Sequence, residues 1–297
     1  MKARPLGDQD FVAEVTDLDA AAASPDEIGQ LRDLLFRHRV LVLRGQRLTP
    51  ECYQEFMRFV GSPVPHVLQD LTVSGFPAIL KISDYVSPDG TRFGVLDGGA
   101  YWHADMSYLP RLGIATSLYA IRAADRSGRT EFIDLAPALA LLATRGDVLE
   151  ALGRAGVDEL LGQEVVHRFG NRDALKDDTA ARQELTADQQ DRMTGARHHL
   201  VERHPVTGTP GLFAPLGTAM ALAGLDAERS DLALDRLQEF VLAELPRYTH
   251  RYEPGDLVIW DNTSTLHRGA EVSATSDFEL SRLLYRINVD YSGTPVP

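Results

Sequence analysis

The stretch AYWHADMSYLP, Ala100 to Pro110, puts His103 and Asp105 two residues apart. Side chains on an extended strand repeat every two residues, so the pair would share a face, with Trp102 and Ala104 on the other. An imidazole and a carboxylate so placed can hold a metal, or simply make a structural hydrogen bond. The chain has nine His and 27 Asp in 297 residues. Random placement then gives about one His-x-Asp pair, so the pair by itself carries little weight. A non-haem ferrous centre needs two His and one carboxylate on one side of the metal, leaving three positions for substrates. The second imidazole must come from far along the chain. His267 is the candidate, in GDLVIWDNTSTLHRGAE, where an apolar strand meets the polar Asp261-Asn262 turn and the chain re-enters a strand. The competing reading is a surface histidine after a hairpin. Arg282 and Arg286, in SRLLYRINV, share strand parity and could both point into a barrel, where an unpaired guanidinium would be costly. Arginine offers a carboxylate a planar, bidentate partner. Alternatively, both arginines pair with surface acids. Thr130 in GRTEF is, alone, an ordinary strand threonine.

The elements that would position these residues can be read in part. Ser24 to Arg39 predicts a helix: Ser24 caps it, Pro25 follows, acids fill the first turn, and Ile28, Leu31, Leu34 and Leu35 make an apolar stripe. VLVLRG, from Val40, reads as a buried strand, and Thr49 to Gly61 as a second capped helix closed by its glycine. TSLYAIRAA and RTEFIDL read as strands on either side of the turn DRSG. APALALLATRGDVLEALGRAG is expected to be helical. LVERHPVTGTPGLFAP reads as a hairpin around Thr207 and Gly208, and Ser230 to Pro246 as an amphipathic helix. The final strands are HRYEPGDLVIWDN and LSRLLYRINVDY. The polar segment at about 163–199 lacks apolar periodicity and is expected to be a mobile excursion. The sum is an α+β chain with a mainly β core and flanking helices.

Composition narrows the partners. An apolar fraction of 44% and a charged fraction of 25% are those of an ordinary globular protein. A formal net charge of −13 argues against nucleic acid. No apolar run approaches the roughly 20 residues needed to span a bilayer, and the first residues lack the apolar segment of a signal peptide. Cys52 is the one cysteine. It allows no intrachain disulfide and no cysteine zinc site, and a reducing cytoplasm suits it. Neither common Gly-rich phosphate loop occurs.

Taken in order, the blocks resemble the taurine and 2,4-dichlorophenoxyacetate dioxygenase family (TauD/TfdA-like), over nearly the whole chain. RVLVLRGQRLTPECYQEFMRFVG looks like that family's opening strand and helix. WHADMSYLPRLGIATSLYAIRAADRSGRTEFIDL looks like its metal and co-substrate block, and RHPVTGTPGLF and YEPGDLVIWDNTSTLHRGA like later blocks. The resemblance implies one domain, 1–297, built as a double-stranded β-helix, a jelly-roll of the cupin type. It implies Fe(II) held by His103, Asp105 and His267, and 2-oxoglutarate and O2 as co-substrates. Arg282 would grip the far carboxylate of 2-oxoglutarate with help from Thr130. Arg286 would lie near substrate or co-substrate and is a rival anchor, because the gap from His267 to Arg282 is longer than usual. The reaction implied is oxidation of a C–H bond in a small molecule, with release of succinate and CO2. Related halogenases lack the carboxylate, so Asp105 favours hydroxylation, desaturation or another oxidative rearrangement.

Tyr252 stands where the family commonly has Trp and is expected to alter only packing. The residues before the metal block, DGTRFGVLDGGA, match no familiar substrate site, so the substrate is open. Arg286 favours an anionic or amino-acid-like one. An arginine-rich, lysine-poor composition of the kind GC-rich genomes give would fit natural-product tailoring. Segment 163–199 would be a lid, or else a disordered loop. Tyr101, Trp102, Tyr108, Tyr85 and His66 are candidate pocket lining, with ordinary packing as the competing role. His167, His198, His199, His204 and His250 are expected to be structural or solvated. A zinc hydrolase on the same triad and a non-catalytic small-molecule-binding barrel are the alternatives; a homo-oligomer is compatible with all three.

Overall fold

The computed structural model describes residues 1–96, 99–123, 128–176, 195–270 and 272–291. The first half supplies β1 (Lys2–Leu6), β2 (Gln9–Thr16), β3 (Val40–Leu43), β4 (Ser62–Pro63), β5 (Thr72–Val73), β6 (Phe76–Ser83), β7 (Gly113–Arg122) and β8 (Arg129–Asp134). The second half supplies β9 (Glu164–His167), β10 (Ala196–His199), β11 (Val201–Arg203), β12 (Pro210–Leu212) and β13 (Ala219–Leu222). The last four strands are β14 (Arg247–Arg251), β15 (Leu257–Asp261), β16 (Thr265–Gly269) and β17 (Leu283–Asp290).

A nine-stranded sheet runs β1-β2-β3-β15-β7-β17-β6-β5, with β4 paired to the end of β17. Its pairings are antiparallel except β2 with β3, which are joined through helix α1 (Pro25–His38). Facing it is the three-stranded sheet β14-β8-β16. β10-β9-β13 and the hairpin β11-β12 form two smaller sheets. The core is therefore mainly β with helices outside, as the sequence indicates.

Local chemistry accounts for these elements. Ser24 and Glu27 exchange hydrogen bonds with each other's backbone N–H to make a capping box, and Pro25 sits where its missing N–H costs nothing. Leu31 and Leu35 of α1, with Tyr53 and Phe56 of α2 (Pro50–Phe56), pack on Leu41, Ile259 and Ile287 of the large sheet. The other face of that sheet meets β8 through Val40, Val42, Leu118, Val258, Trp260 and Phe132. β15 is buried throughout because Leu257 and Ile259 serve one layer while Val258 and Trp260 serve the other. A third apolar layer joins Ile133, Leu266 and Trp102 to the helix Ala227–Glu244 through Leu234, Leu237 and Phe240.

Three expectations change. The segment from Ala136 is two short helices, Ala138–Leu142 and Gly146–Ala151, because the chain leaves helical geometry at Arg145 before Gly146. The 163–199 segment has strands at both ends, with β10 antiparallel to β9; residues 177–194, the body of the expected lid, lie outside the described residues. His103 forms only an isolated bridge and Asp105 lies in the turn after it, so the two are not on one regular strand. Among the described residues no helix is long and apolar enough to cross a membrane.

Candidate active site

His103 and His267 are neighbours through their backbones. The His103 N–H donates to His267 O at 3.0 Å, and the His267 N–H donates to His103 O at 2.9 Å. This two-bond bridge sets the imidazole centroids 4.3 Å apart. Asp105 reaches the same point from the turn, where Met106 takes a left-handed φ of 63° that costs a non-glycine residue energy. Its carboxylate lies 3.6 Å from His103 Nε2 and 3.5 Å from His267 Nε2, distances longer than a good hydrogen bond. One ligand atom from each residue lies within 4.8 Å of the other two, and all three residues are buried.

A chain of side chains fixes how these groups face. Tyr101 O accepts from His103 Nδ1 at 2.7 Å, which leaves Nε2 with its lone pair towards the carboxylate. Indole nitrogen only donates, so the 3.0 Å bond from Trp260 Nε1 identifies the Asn262 atom it meets as Oδ1. Asn262 Nδ2 then donates to Thr116 Oγ1 at 2.7 Å, and Thr116 donates to Asp105 Oδ2 at 3.0 Å. Asn288 Oδ1 competes for the threonine proton at 3.2 Å. Sequence reasoning missed Thr116 and Asn262; the buried polar Asn after the apolar run LVIW was the signal that could have found the second.

Burial pushes the Asp105 carboxyl up, but Arg286, His267 and His103 outweigh it and hold it well below the usual carboxylate range. Burial pushes His267 well below the usual imidazole range, His103 and Arg286 adding to the effect while Asp105 opposes it. An ionised carboxylate and a neutral imidazole are the forms that bind a cation.

A pocket between the two facing sheets takes in His267 of the triad. It is lined by Ile82, Ala100, Leu118, Arg129, Thr130, Trp260, His267, Gly269, Ala270, Arg282, Leu284 and Arg286. Arg282, just before β17, and Leu284 and Arg286 within it all line the pocket. Arg286 stands beside the triad, with Nη1 3.5 Å from Asp105 Oδ1 and Nη2 3.1 Å from His66 Nε2. Arg282 donates from Nη2 to Leu96 O at 3.0 Å, and its backbone N–H donates to Asp84 Oδ1 at 2.8 Å. Thr130 pairs with His250 on one side and Gly269 on the other. Its Oγ1 is 3.0 Å from the Tyr252 hydroxyl, so Tyr252 does more than pack.

The other candidates separate. Tyr101 lies against the His103 ring, 4.9 Å between centroids. Tyr108 packs edge-on against Phe169. Trp102 turns away from the pocket into the third layer, with Arg268 over its ring at 4.8 Å. Tyr85 joins Phe93 and Phe278 in an aromatic trio. His66 is pushed down to about 3 by burial and by Arg286. His167, His198, His204 and His250 are buried, whereas His199 is exposed beside Glu202.

The donor set fits a first-row divalent metal. Two imidazole nitrogens and an ionised carboxylate face one point at separations that suit an ion between them. The backbone also leaves that point open. Gly99 has φ 96°, and a Cβ there would lie 2.4 Å from His103 Cε1 and 2.9 Å from Nε2.

Comparison with known proteins agrees with this geometry. The sequence profile described as taurine catabolism dioxygenase TauD, TfdA family matches residues 2–287. The alpha-ketoglutarate-dependent 2,4-dichlorophenoxyacetate dioxygenase of Cupriavidus pinatubonensis is 29% identical over 287 residues, covering 92% of this chain and 93% of its own. Pentalenolactone F synthase of Streptomyces arenae is 30% identical over 279 residues, covering 89% and 86%. In fold, the crystal structure of AAD-2 in complex with Mn(II) and N-oxalylglycine superposes with a TM-score of 0.73 at 23% identity, covering 99% of each chain.

Proposed function

The chain belongs to the taurine catabolism dioxygenase TauD, TfdA family, and from that premise we propose that it oxidises an unactivated C–H bond of a small organic anion. It is a 2-oxoglutarate-dependent dioxygenase, an oxidoreductase whose cofactor is Fe(II) and whose co-substrates are 2-oxoglutarate and O2. Bound together, these supply the oxidising power and release succinate and CO2. The protein's part is to bind, orient and shield. His103 and His267 would hold the iron through Nε2 and Asp105 through a carboxylate oxygen. Thr116, Asn262 and Trp260 would keep that carboxylate aimed. Thr130 and Arg282 would hold the far carboxylate of 2-oxoglutarate, leaving Arg286 for the substrate. Hydroxylation is the expected outcome, with desaturation or rearrangement as variants. The strand arrangement is read as a jelly-roll, in one domain with 163–199 as lid, in a reducing cytoplasm.

The convergence of His103, Asp105 and His267 on a pocket that also carries Arg129, Arg282 and Arg286 supports this reading best. Three arginines line one pocket in a chain of net charge −13, which favours anionic occupants. His66 adds a second argument. The Leu68 N–H points at its Nδ1 at 3.1 Å while Arg286 points at its Nε2. A neutral imidazole has one N–H and can accept at only one of these positions. With Nδ1 accepting from Leu68, the Nε2–H and the guanidinium are two donors 3.1 Å apart, and a carboxylate oxygen beside the pair would accept from both. One relative is named for the carboxylate 2,4-dichlorophenoxyacetate and another for pentalenolactone F synthesis, and a natural-product acid is a substrate of the same kind. A zinc hydrolase gives the co-substrate pair Thr130 and Arg282 no purpose.

The test is an anaerobic titration with Fe(II) and then 2-oxoglutarate, followed by succinate release across a panel of acids, amines and neutral compounds. A weak visible charge-transfer band is expected on adding the keto acid, and turnover is expected with acids. Failure to develop the band would sink the dioxygenase reading of these residues, and turnover restricted to amines would sink the substrate class.

A further inference from the structure

Tyr252 is a buried polar side chain behind Thr130 of the pocket wall, and the reaction so far gives it no task. It is 8% exposed. Its ring packs edge-on against His250 at 4.7 Å. His250 is itself fixed by Tyr248 and Asp256, each at 3.0 Å, and Asp256 by Arg44 at 2.6 Å. The backbone N–H of residue 252 donates to Gly128 O, two residues before Thr130. The phenol is thus held in place from three sides, with its oxygen 3.0 Å from Thr130 Oγ1.

Which group donates follows from satisfaction. A buried phenol O–H left without an acceptor is costly, and Thr130 Oγ1 is the acceptor this geometry offers. Burial also pushes the phenol up from its ordinary value, so it keeps its proton. With the tyrosine donating, the threonine's own proton turns elsewhere, and Thr130 lines the pocket that also holds Arg282. We propose that Tyr252 is a positioning residue that aims the Thr130 hydroxyl proton into the pocket, at the carboxylate of 2-oxoglutarate. The inference rests on the reading that Thr130 and Arg282 hold that carboxylate. It assigns to Tyr252 a share of co-substrate affinity and none of the substrate's.

The experiment is calorimetric titration of 2-oxoglutarate into anaerobic Mn(II)-loaded enzyme, beside steady-state kinetics with Fe(II). Tyr252→Phe removes one oxygen atom and should weaken 2-oxoglutarate binding about fivefold, the value of one hydrogen bond. The loss should appear in the KM for 2-oxoglutarate, with kcat and the KM for the prime substrate unmoved. Thr130→Ala should weaken binding at least as much, and the double variant no further, since the tyrosine acts through the threonine. Should Tyr252→Phe fail to fold, Tyr252→Met removes the same donor at similar volume and carries the same expectation. Wild-type affinity in the folded variant would overturn the proposal, and so would additive losses in the double variant. Absence of 2-oxoglutarate binding by the wild-type enzyme would instead overturn the functional reading beneath it.

Discussion

Thr116 gives its proton to Asp105 because Trp260 has already decided which way Asn262 faces. Thr116→Val keeps the shape and removes the proton. It should weaken Fe(II) binding about tenfold, as loss of a partner behind a metal ligand does; competition with a coloured chelator measures this. His103→Ala and His267→Ala should each abolish succinate formation while the protein stays folded by circular dichroism, and full turnover in either would refute its role as a ligand. Arg282→Ala should raise the KM for 2-oxoglutarate and Arg286→Ala that for the prime substrate, with the opposite pattern exchanging their roles. At this scale the grouping of His103, Asp105 and His267 and the two arginines of the neighbouring pocket was legible, because few residue types could ligate a metal or grip a carboxylate. Thr116 was not. A threonine in a strand has no signature until its neighbours across the sheet are known, and Asn262 comes from a turn 146 residues away.

Among the elements, the shared side of Arg282 and Arg286 was readable and correct, although Arg282 lies just before β17 and the pairing with β7 shifts register between Leu283 and Leu284. The geometry of His103 and Asp105 was not readable. The sequence suggested one strand face, but the pair is a bridge residue followed by a turn with Met106 at φ 63°. Gly113 lets this turn pack closely, since a Cβ there would lie 3.1 Å from the Met106 side chain. Such long-range allowances leave no local pattern. The same limit hid Gly99, read only as part of an unmatched stretch. Gly99→Ala forces a side chain against His103 in a left-handed backbone conformation. It should impair Fe(II) binding strongly, measured by calorimetry, with little change in secondary structure; unchanged affinity would show that this loop moves aside.

For the whole molecule, buried histidines set a pH limit on stability. His167 is fully buried and burial pushes it down to about 3. In the unfolded chain it takes up a proton as pH falls through about 6.5, while the folded chain does not, so stability is lost across that window. At pH 5 the loss is about 2 kcal/mol from this residue, and His66, held down likewise, adds to it. Thermal unfolding of the metal-free protein should show its midpoint falling from pH 7 to pH 5, and His167→Gln should flatten that slope. The pairing of two sheets around the pocket was foreseeable only through resemblance, because strand order is decided by contacts between distant segments. The reciprocal backbone bonds between His103 and His267 have a further consequence. The spacing of the two imidazoles is set by main-chain bonds and not by the side chains themselves. A substitution at either side chain therefore alters a ligand without altering the frame that carries it.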